Sequence, residues 1–375
     1  MLSKIITVPI KASLLALFLA CSFVNADWDV GMAAYEAKDY KTALKEFKIS
    51  ADEGNPNAQA LLGSMYFKGE DVPLDYKQAV KWYTLAAEGG VDFAQTGLGF
   101  LYRDGKGVPQ SNEESVKWYT RAANQGEGIA QYSLGVMYRD GIRVAQNYKE
   151  SFRWFLLAAE QGEKQAQYNL GAMYRSDKGG NKYKDSAKWY KLAAMQGMAG
   201  AQVDLGFMYK KGKGVIQDYR QSIKWYTLAA EQGDRAGQYN LGVMYNQGKG
   251  ATKDYKQATK WYTLAAEQGH RSSQFNLGNM HRTGQGIIQD YKQAVKWYTL
   301  AADQGHRVAR HTLGIMYAAG QGVTQDFVVA HMLANISASN GMSSKLRDLI
   351  ATEMTPSELE QAQQKAREWV EKHGK

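Results

Sequence analysis

The sequence predicts an all-α protein built as a stack of helix-turn-helix units. Three observations carry that prediction. The stretch Leu-Gly-Val-Met-Tyr, Leu134 to Tyr138, recurs with small changes eight times in 375 residues. Its glycine falls at Gly63, Gly99, Gly135, Gly171, Gly206, Gly242, Gly278 and Gly314, in steps of 36 residues with one step of 35. Within each period two apolar stripes recur at helical spacing, with turn residues between them. A period of this size means similar supersecondary units that each touch mainly their neighbours around one elongated core. Apolar residues at 44% supply such a core, and charged residues at 22% are ordinary for a soluble protein. The net charge of +9 favours acidic partners or anionic surfaces without specifying one.

The chain opens with Lys4 and Lys11, an apolar run from Ala12 to Phe23, and Val24-Asn25-Ala26. This reads as a secretory signal peptide over residues 1–26, cleaved after Ala26. The run is shorter than the ~20 residues a membrane-spanning helix needs. A lipoprotein signal ending at Cys21 is the alternative. Cys21 is the only cysteine, so the exported chain would carry no thiol to mispair in an oxidising compartment. The expected location is periplasmic or secreted.

Residues 27–54 read as a shorter helix pair. Gly31, Ala34 and Tyr35 share one side of its first helix, and Ala43, Phe47 and Ala51 share one side of the second. The pair resembles a tetratricopeptide repeat and stands as the N-terminal cap.

The repeats occupy residues 55–341. In the first, Asn55-Pro56 caps a helix whose core stripe is Ala58, Leu62, Met65 and Tyr66, and Gly69 stops it. Asp75 with Gln78 forms a capping-box pattern, repeated at Asp218 with Gln221, Asp254 with Gln257, Asp290 with Gln293 and Asn147 with Glu150. Ala79, Trp82, Tyr83, Ala86 and Ala87 follow as a buried stripe. The mid-helix glycine costs ~1 kcal/mol against alanine, so a neighbouring helix must approach it closely. The small Ala-Ala pairs, such as Ala158-Ala159, are the expected opposite surface. Trp82, Trp118, Trp154, Trp189, Trp225, Trp261 and Trp297 are expected core wedges.

Leu-Gly-x-Met-Tyr, Gly105 to Val108, Asp-Tyr-x-x-Ala-x-x-Trp-Tyr and Ala-Ala-x-Gln-Gly recur in register. In these motifs the chain resembles the Sel-1-like repeat family. The resemblance implies a right-handed α/α superhelical solenoid related to tetratricopeptide repeats, acting as a protein-interaction scaffold. It implies that exported bacterial members serve host-cell entry and vacuole trafficking in some pathogens. One subgroup carries paired cysteines and is linked to penicillin binding, but this chain lacks those cysteines. Two departures are visible. The fourth unit, through Ser176 to Asn181, is one residue short and lacks the stopping glycine, and the last has Leu333 for tryptophan and Asn340-Gly341 for Gln-Gly. Residues 342–375 read as capping helices, Ser344 to Glu353 and a second opened by Thr355-Pro356-Ser357-Glu358.

No catalytic constellation is legible, so an enzyme is not expected, and no cofactor or metal site is assigned. His270, His281, His306, His311, His331 and His373 show no metal-ligand spacing and read as incidental surface histidines. What remains is surface. Opposite the core stripe of each first helix lies a stripe equivalent to positions 60, 64 and 67. It carries Tyr132, Tyr168, Tyr239 and Phe275, then Phe100, Val136, Phe207 and Val243, then Phe67, Arg103, Arg139, Arg175, Lys210, Asn246 and Arg282. In helix-pair solenoids this face lines the concave side, and interface hot spots favour Tyr, Trp and Arg. The expected partner is a protein, of the host or of the cell envelope, bound through an acidic or partly apolar segment. The second-row residues also fit secondary core. Lys77 and Lys81, Lys184 and Lys188, Lys256 and Lys260, and Lys292 and Lys296 form a further basic ribbon, open to weak contact with anionic lipid. Export disfavours nucleic acid, and a monomer is expected. Two other readings stay open: a periplasmic scaffold that regulates a cell-wall enzyme or binds peptidoglycan, and a cysteine-free β-lactam hydrolase.

Overall fold

The computed structural model describes residues 26–69, 72–142, 144–176, 180 and 182–373. The leader, Cys21 and most of the shortened loop lie outside them. The described residues form twenty α-helices and no strand. The chain divides into two compact units after Ala166.

The first unit holds α1 (Ala26–Glu36), α2 (Tyr40–Asp52), α3 (Pro56–Lys68), α4 (Tyr76–Glu88), α5 (Asp92–Asp104), α6 (Asn112–Asn124), α7 (Gly128–Asp140) and α8 (Tyr148–Glu160). Helix α9 (Lys164–Arg175) crosses the division. The second unit continues with α10 (Tyr183–Met195), α11 (Ala199–Lys211), α12 (Tyr219–Glu231), α13 (Arg235–Gln247), α14 (Tyr255–Glu267), α15 (Arg271–Thr283), α16 (Tyr291–Asp303), α17 (Arg307–Ala319), α18 (Phe327–Ser339), α19 (Lys345–Ala351) and α20 (Pro356–His373). Within each unit consecutive helices pack in pairs, and each pair packs on the next.

Local chemistry sets the boundaries. Asn55 accepts hydrogen bonds from the N–H groups of Asn57 (2.9 Å) and Ala58 (3.3 Å) at the start of α3. Gly69 ends that helix in the left-handed region at φ 69°. Asp75 caps α4 through the N–H groups of Lys77 and Gln78, at 2.9 and 3.1 Å. The reciprocal half of the expected box goes elsewhere. The Asp75 N–H donates to the Tyr66 carbonyl at 3.0 Å, closing the loop, and Ser111 to Tyr102 and Asp218 to Tyr209 do the same. At Thr355 both halves are present: its N–H reaches Glu358 Oε2 at 2.8 Å, and the Glu358 N–H reaches Thr355 Oγ1 at 3.3 Å.

Seven of the eight mid-helix glycines face an aromatic ring, not the Ala-Ala pair. A β-carbon on Gly99 would lie 2.7 Å from Tyr119, and one on Gly135 would lie 2.6 Å from Phe155. Gly206, Gly242 and Gly278 meet Tyr226, Tyr262 and Tyr298 in the same way. These rings are among the largest fully buried side chains. The notch exists because a flat ring needs more depth than the methyl of an alanine. Trp82, Trp118, Trp154, Trp189 and Trp225 are buried as expected, whereas Trp261 and Trp297 are half-buried.

Within each unit a buried glutamine joins one repeat to the one before it. Gln95 donates to the Ala87 carbonyl at 3.1 Å and accepts from Gln125 Nε2 at 2.8 Å. Gln131 repeats this with Ala123 and Gln161, and Gln202 with Ala194 and Gln232. At the C-terminal end Arg310 takes the glutamine's place. It donates to the Ala302 carbonyl at 3.1 Å, and its guanidinium lies 4.1 Å from the Trp369 ring of α20. At the other end Trp28 packs on Phe47 with centroids 5.6 Å apart.

Candidate functional site

In the first unit the face opposite the core forms a groove across α3, α5 and α7. A cavity of about 90 Å³ is lined by Phe67, Phe93, Phe100 and Tyr132, with Arg103 and Lys68 at its edge. Phe67 and Phe100 meet edge-on at 5.5 Å, and Phe93 meets Tyr83 at 5.9 Å. Arg103 lies 4.2 Å over the Phe100 ring. Arg103 and Tyr132, predicted separately, therefore line one cavity.

Part of the basic row is already answered by acids. Arg103 Nε donates to Asp104 at 2.7 Å, and its Nη2 donates at 3.1 Å. Arg139 pairs with Asp140 at 2.6 and 2.8 Å. The acid directly follows the base in the repeated Tyr-Arg-Asp, at 102–104 and 138–140. At these two positions the expected acidic segment would meet guanidiniums that already carry a carboxylate, Arg103 lying over Phe100 and Arg139 lying 5.9 Å from the Phe155 ring. The Arg139 guanidinium holds Asp140 below the usual carboxylate range, first through the hydrogen bond it donates.

In the second unit Arg175 donates to Asp204 at 2.7 Å and lies 5.6 Å from the Tyr190 ring, which also packs Tyr168 at 5.5 Å. Arg282 donates to the Tyr298 hydroxyl at 3.2 Å. Lys210 is half-buried, and burial, then the charges of Lys211 and Lys249, lower its pKa. The aromatic row packs ring on ring. Tyr132 meets Phe155 at 5.8 Å, Tyr239 meets Tyr262 at 6.2 Å, and Phe275 meets Tyr298 at 5.8 Å. Each outer ring covers the ring that fills the glycine notch. Phe100, Val136 and Val243 are half-buried, while Phe207 is 36% exposed.

His270 and His306 are not incidental. His270 Nδ1 accepts from the Ser273 N–H at 3.2 Å, capping α15, and its ring lies 4.5 Å from Tyr239. His306 caps α17 and stacks on Phe275 at 4.5 Å. Burial, then neighbouring arginine charges, lowers both pKa values. The outer lysines also have a local role. Lys81, Lys188, Lys260 and Lys296 lie 4.6, 5.4, 5.0 and 5.5 Å over the adjoining tryptophans. Among the described residues no three His, Cys, Asp or Glu side chains are grouped to hold a metal, and no helix is long and apolar enough to cross a membrane.

These features define a helix-pair repeat protein. The Sel1 repeat family profile matches residues 56–91, 92–127, 128–163, 164–198, 199–234, 235–270, 271–306 and 308–342, and the chain belongs to that family. Two solved structures are similar at 32% identity. A protective antigen present in uropathogenic Escherichia coli strains matches over 93% of this chain and 92% of that one, with a TM-score of 0.54. A Sel1 repeat protein from Oxalobacter formigenes matches over 83% and 90%, with a TM-score of 0.62. None of the curated proteins matches the chain significantly.

Proposed function

We propose that the chain is an exported, non-enzymatic scaffold that binds a protein segment on the first-helix face of residues 56–140. Sel1 repeat proteins are protein-interaction scaffolds. The observation that carries the assignment is the aromatic groove of Phe67, Phe93, Phe100 and Tyr132 beside the Arg103–Asp104 pair. Phe93 and Tyr132 pack on core rings from below, yet all four rings are only half-buried and leave apolar surface open in the cavity. The favoured ligand is a segment led by an apolar or aromatic anchor. Polar groups beside the anchor meet a paired guanidinium and carboxylate, which select orientation more than net charge.

The leader and the similarity to an antigen of a pathogenic bacterium support export and a role at a host interface. The second reading, a periplasmic scaffold for a cell-wall enzyme or peptidoglycan, shares the leader. Co-sedimentation with purified peptidoglycan separates the two. The groove itself is tested by selecting a displayed random-peptide library on the full chain. Enriched peptides sharing one apolar anchor, and lost from Phe100→Ala/Tyr132→Ala, are expected. Peptides that bind both chains equally would place the ligand elsewhere.

A further inference from the structure

The loops that join first to second helices in the second unit carry a feature the groove does not explain. Ile216 is 91% exposed and Ile288 is 88% exposed. They stand at the same place in their repeats, two residues before the caps Asp218 and Asp290, with exposed Thr252 at that place in the repeat between. Nothing in the fold benefits from holding isoleucine in water.

The loops are rigid and adjacent. Gly212 and Gly214 take φ of 66° and 73°, and Gln217 Nε2 donates back to the Lys210 carbonyl at 2.9 Å. Gln289 Nε2 does the same to Arg282 at 2.8 Å. Each loop rests on the foot of the loop before it. Gly250 lies against the Tyr219 backbone, one residue past Asp218, and Gly286 lies against Tyr255, one residue past Asp254. Thr259 Oγ1 donates to the Gln285 carbonyl at 3.3 Å. The three loops therefore form one edge, with the two isoleucines about 20 Å apart at roughly a helix diameter per repeat.

The charge on that edge has one sign. Segments 210–217, 246–253 and 282–289 contain Lys210, Lys211, Lys213, Lys249, Lys253 and Arg282 and no acid. Lys211, Lys213, Lys249 and Lys253 are exposed. The flanking Asp218 and Asp254 are turned inward, accepting from the N–H groups that open α12 and α14.

We propose that this edge, residues 210–217, 246–253 and 282–289, docks the protein on an anionic lipid surface. Ile216 and Ile288 enter the headgroup–acyl boundary, and the lysines meet lipid phosphates. Two isolated isoleucines give only marginal partitioning, and a small basic patch gives no more; together they make a reversible peripheral contact. Lysines of both surfaces lie near rings, Lys213, Lys249 and Lys253 at 5.0, 5.8 and 4.8 Å from Tyr183, Tyr219 and Tyr255. The lysine ribbon of the second helices is the weaker candidate, because its apolar neighbours Leu228, Leu264 and Leu300 are only 37, 37 and 39% exposed. Protruding apolar tips on a basic rim fit a membrane plane better than a protein, which would need a groove to grip.

The test is vesicle sedimentation of the full chain and its variants, which share one N-terminus so that only the loop edge differs. Vesicles are phosphatidylcholine with and without phosphatidylglycerol. The native chain is expected to pellet with the anionic vesicles and to be released by salt. Ile216→Ser/Ile288→Ser should lower partitioning about tenfold. Lys211→Glu/Lys213→Glu/Lys249→Glu/Lys253→Glu should lower it more than about a hundredfold, at about fivefold per base. Helical circular dichroism checks that the variants are folded. Equal partitioning of all three chains, or none that depends on phosphatidylglycerol, overturns the proposal. Capture of an acidic protein by the edge without vesicle binding does the same.

Discussion

Phe155 fills the space that a β-carbon on Gly135 would take, while the last glycine of the series has no such neighbour. At Gly314 the nearest atom to an added β-carbon is the Ala330 carbonyl oxygen at 3.3 Å, because Ala334 stands where the other repeats carry a ring. Gly135→Ala must displace a buried ring and should lose about 1–3 kcal/mol, net of the gain in helix propensity. Gly314→Ala should change stability by less than about 1 kcal/mol. Urea denaturation of the two variants compares them directly. Equal losses would mean that the ring does not set the glycine. The glycine itself was legible as a close-approach site, but its occupant was not. The motif Trp-Tyr names two aromatics, and periodicity alone does not say which one points back into its own pair. At the same scale, His270 and His306 are disfavoured as cations by burial first and arginine charges second. Their folded pKa values lie below the ordinary ~6.5. Their contribution is therefore complete above that value and is lost as pH falls through it toward the folded pKa. The melting temperature should drop between about pH 7 and about pH 5. His270→Asn/His306→Asn, which keeps a capping side chain as at Asn55, should flatten that slope while lowering stability at neutral pH. An unchanged slope would assign the titration to other groups.

The helix pair is fixed by caps and by one buried amide. Gln131 is 3% exposed and joins the Ala123 carbonyl of the preceding repeat to Gln161 of its own. Gln131→Ala leaves that carbonyl buried without a donor and should cost about 1–3 kcal/mol. Gln161 lies at the surface, and Gln161→Ala should cost less than about 1 kcal/mol. Thermal denaturation separates the two, and a reversed order would remove the glutamine from its joining role. Helix ends, the glycine stops and the Asp75-type caps were readable in the sequence, since each rests on contacts within a few residues. The glutamine bridges were not, because a recurrent Ala-Gln looks like an ordinary surface residue until the neighbouring repeat covers it. The capping boxes were over-read for a related reason: a tertiary acceptor, the Tyr66 carbonyl, outcompetes Gln78 for the Asp75 N–H.

At the scale of the molecule, the two proposed surfaces differ in chemistry. The groove in the first unit presents rings with paired charge, and the loop edge in the second unit presents exposed isoleucines among bases with no acid in the same segments. The repeat register showed where a face would carry Tyr132 and Arg103, but it did not reveal that Asp104 and Asp140 answer the arginines. A carboxylate one residue away on a helix is normally turned to another side, and only the end of the first helix lets the two side chains meet. The central claim is that the rings of the groove, more than its bases, hold the partner. Calorimetric titration of a selected peptide into the native chain and into Phe100→Ala/Tyr132→Ala tests it. Affinity should fall at least about tenfold in the variant and change little with salt for the native chain. Equal affinity for both chains, or an affinity that collapses with salt, would contradict the account.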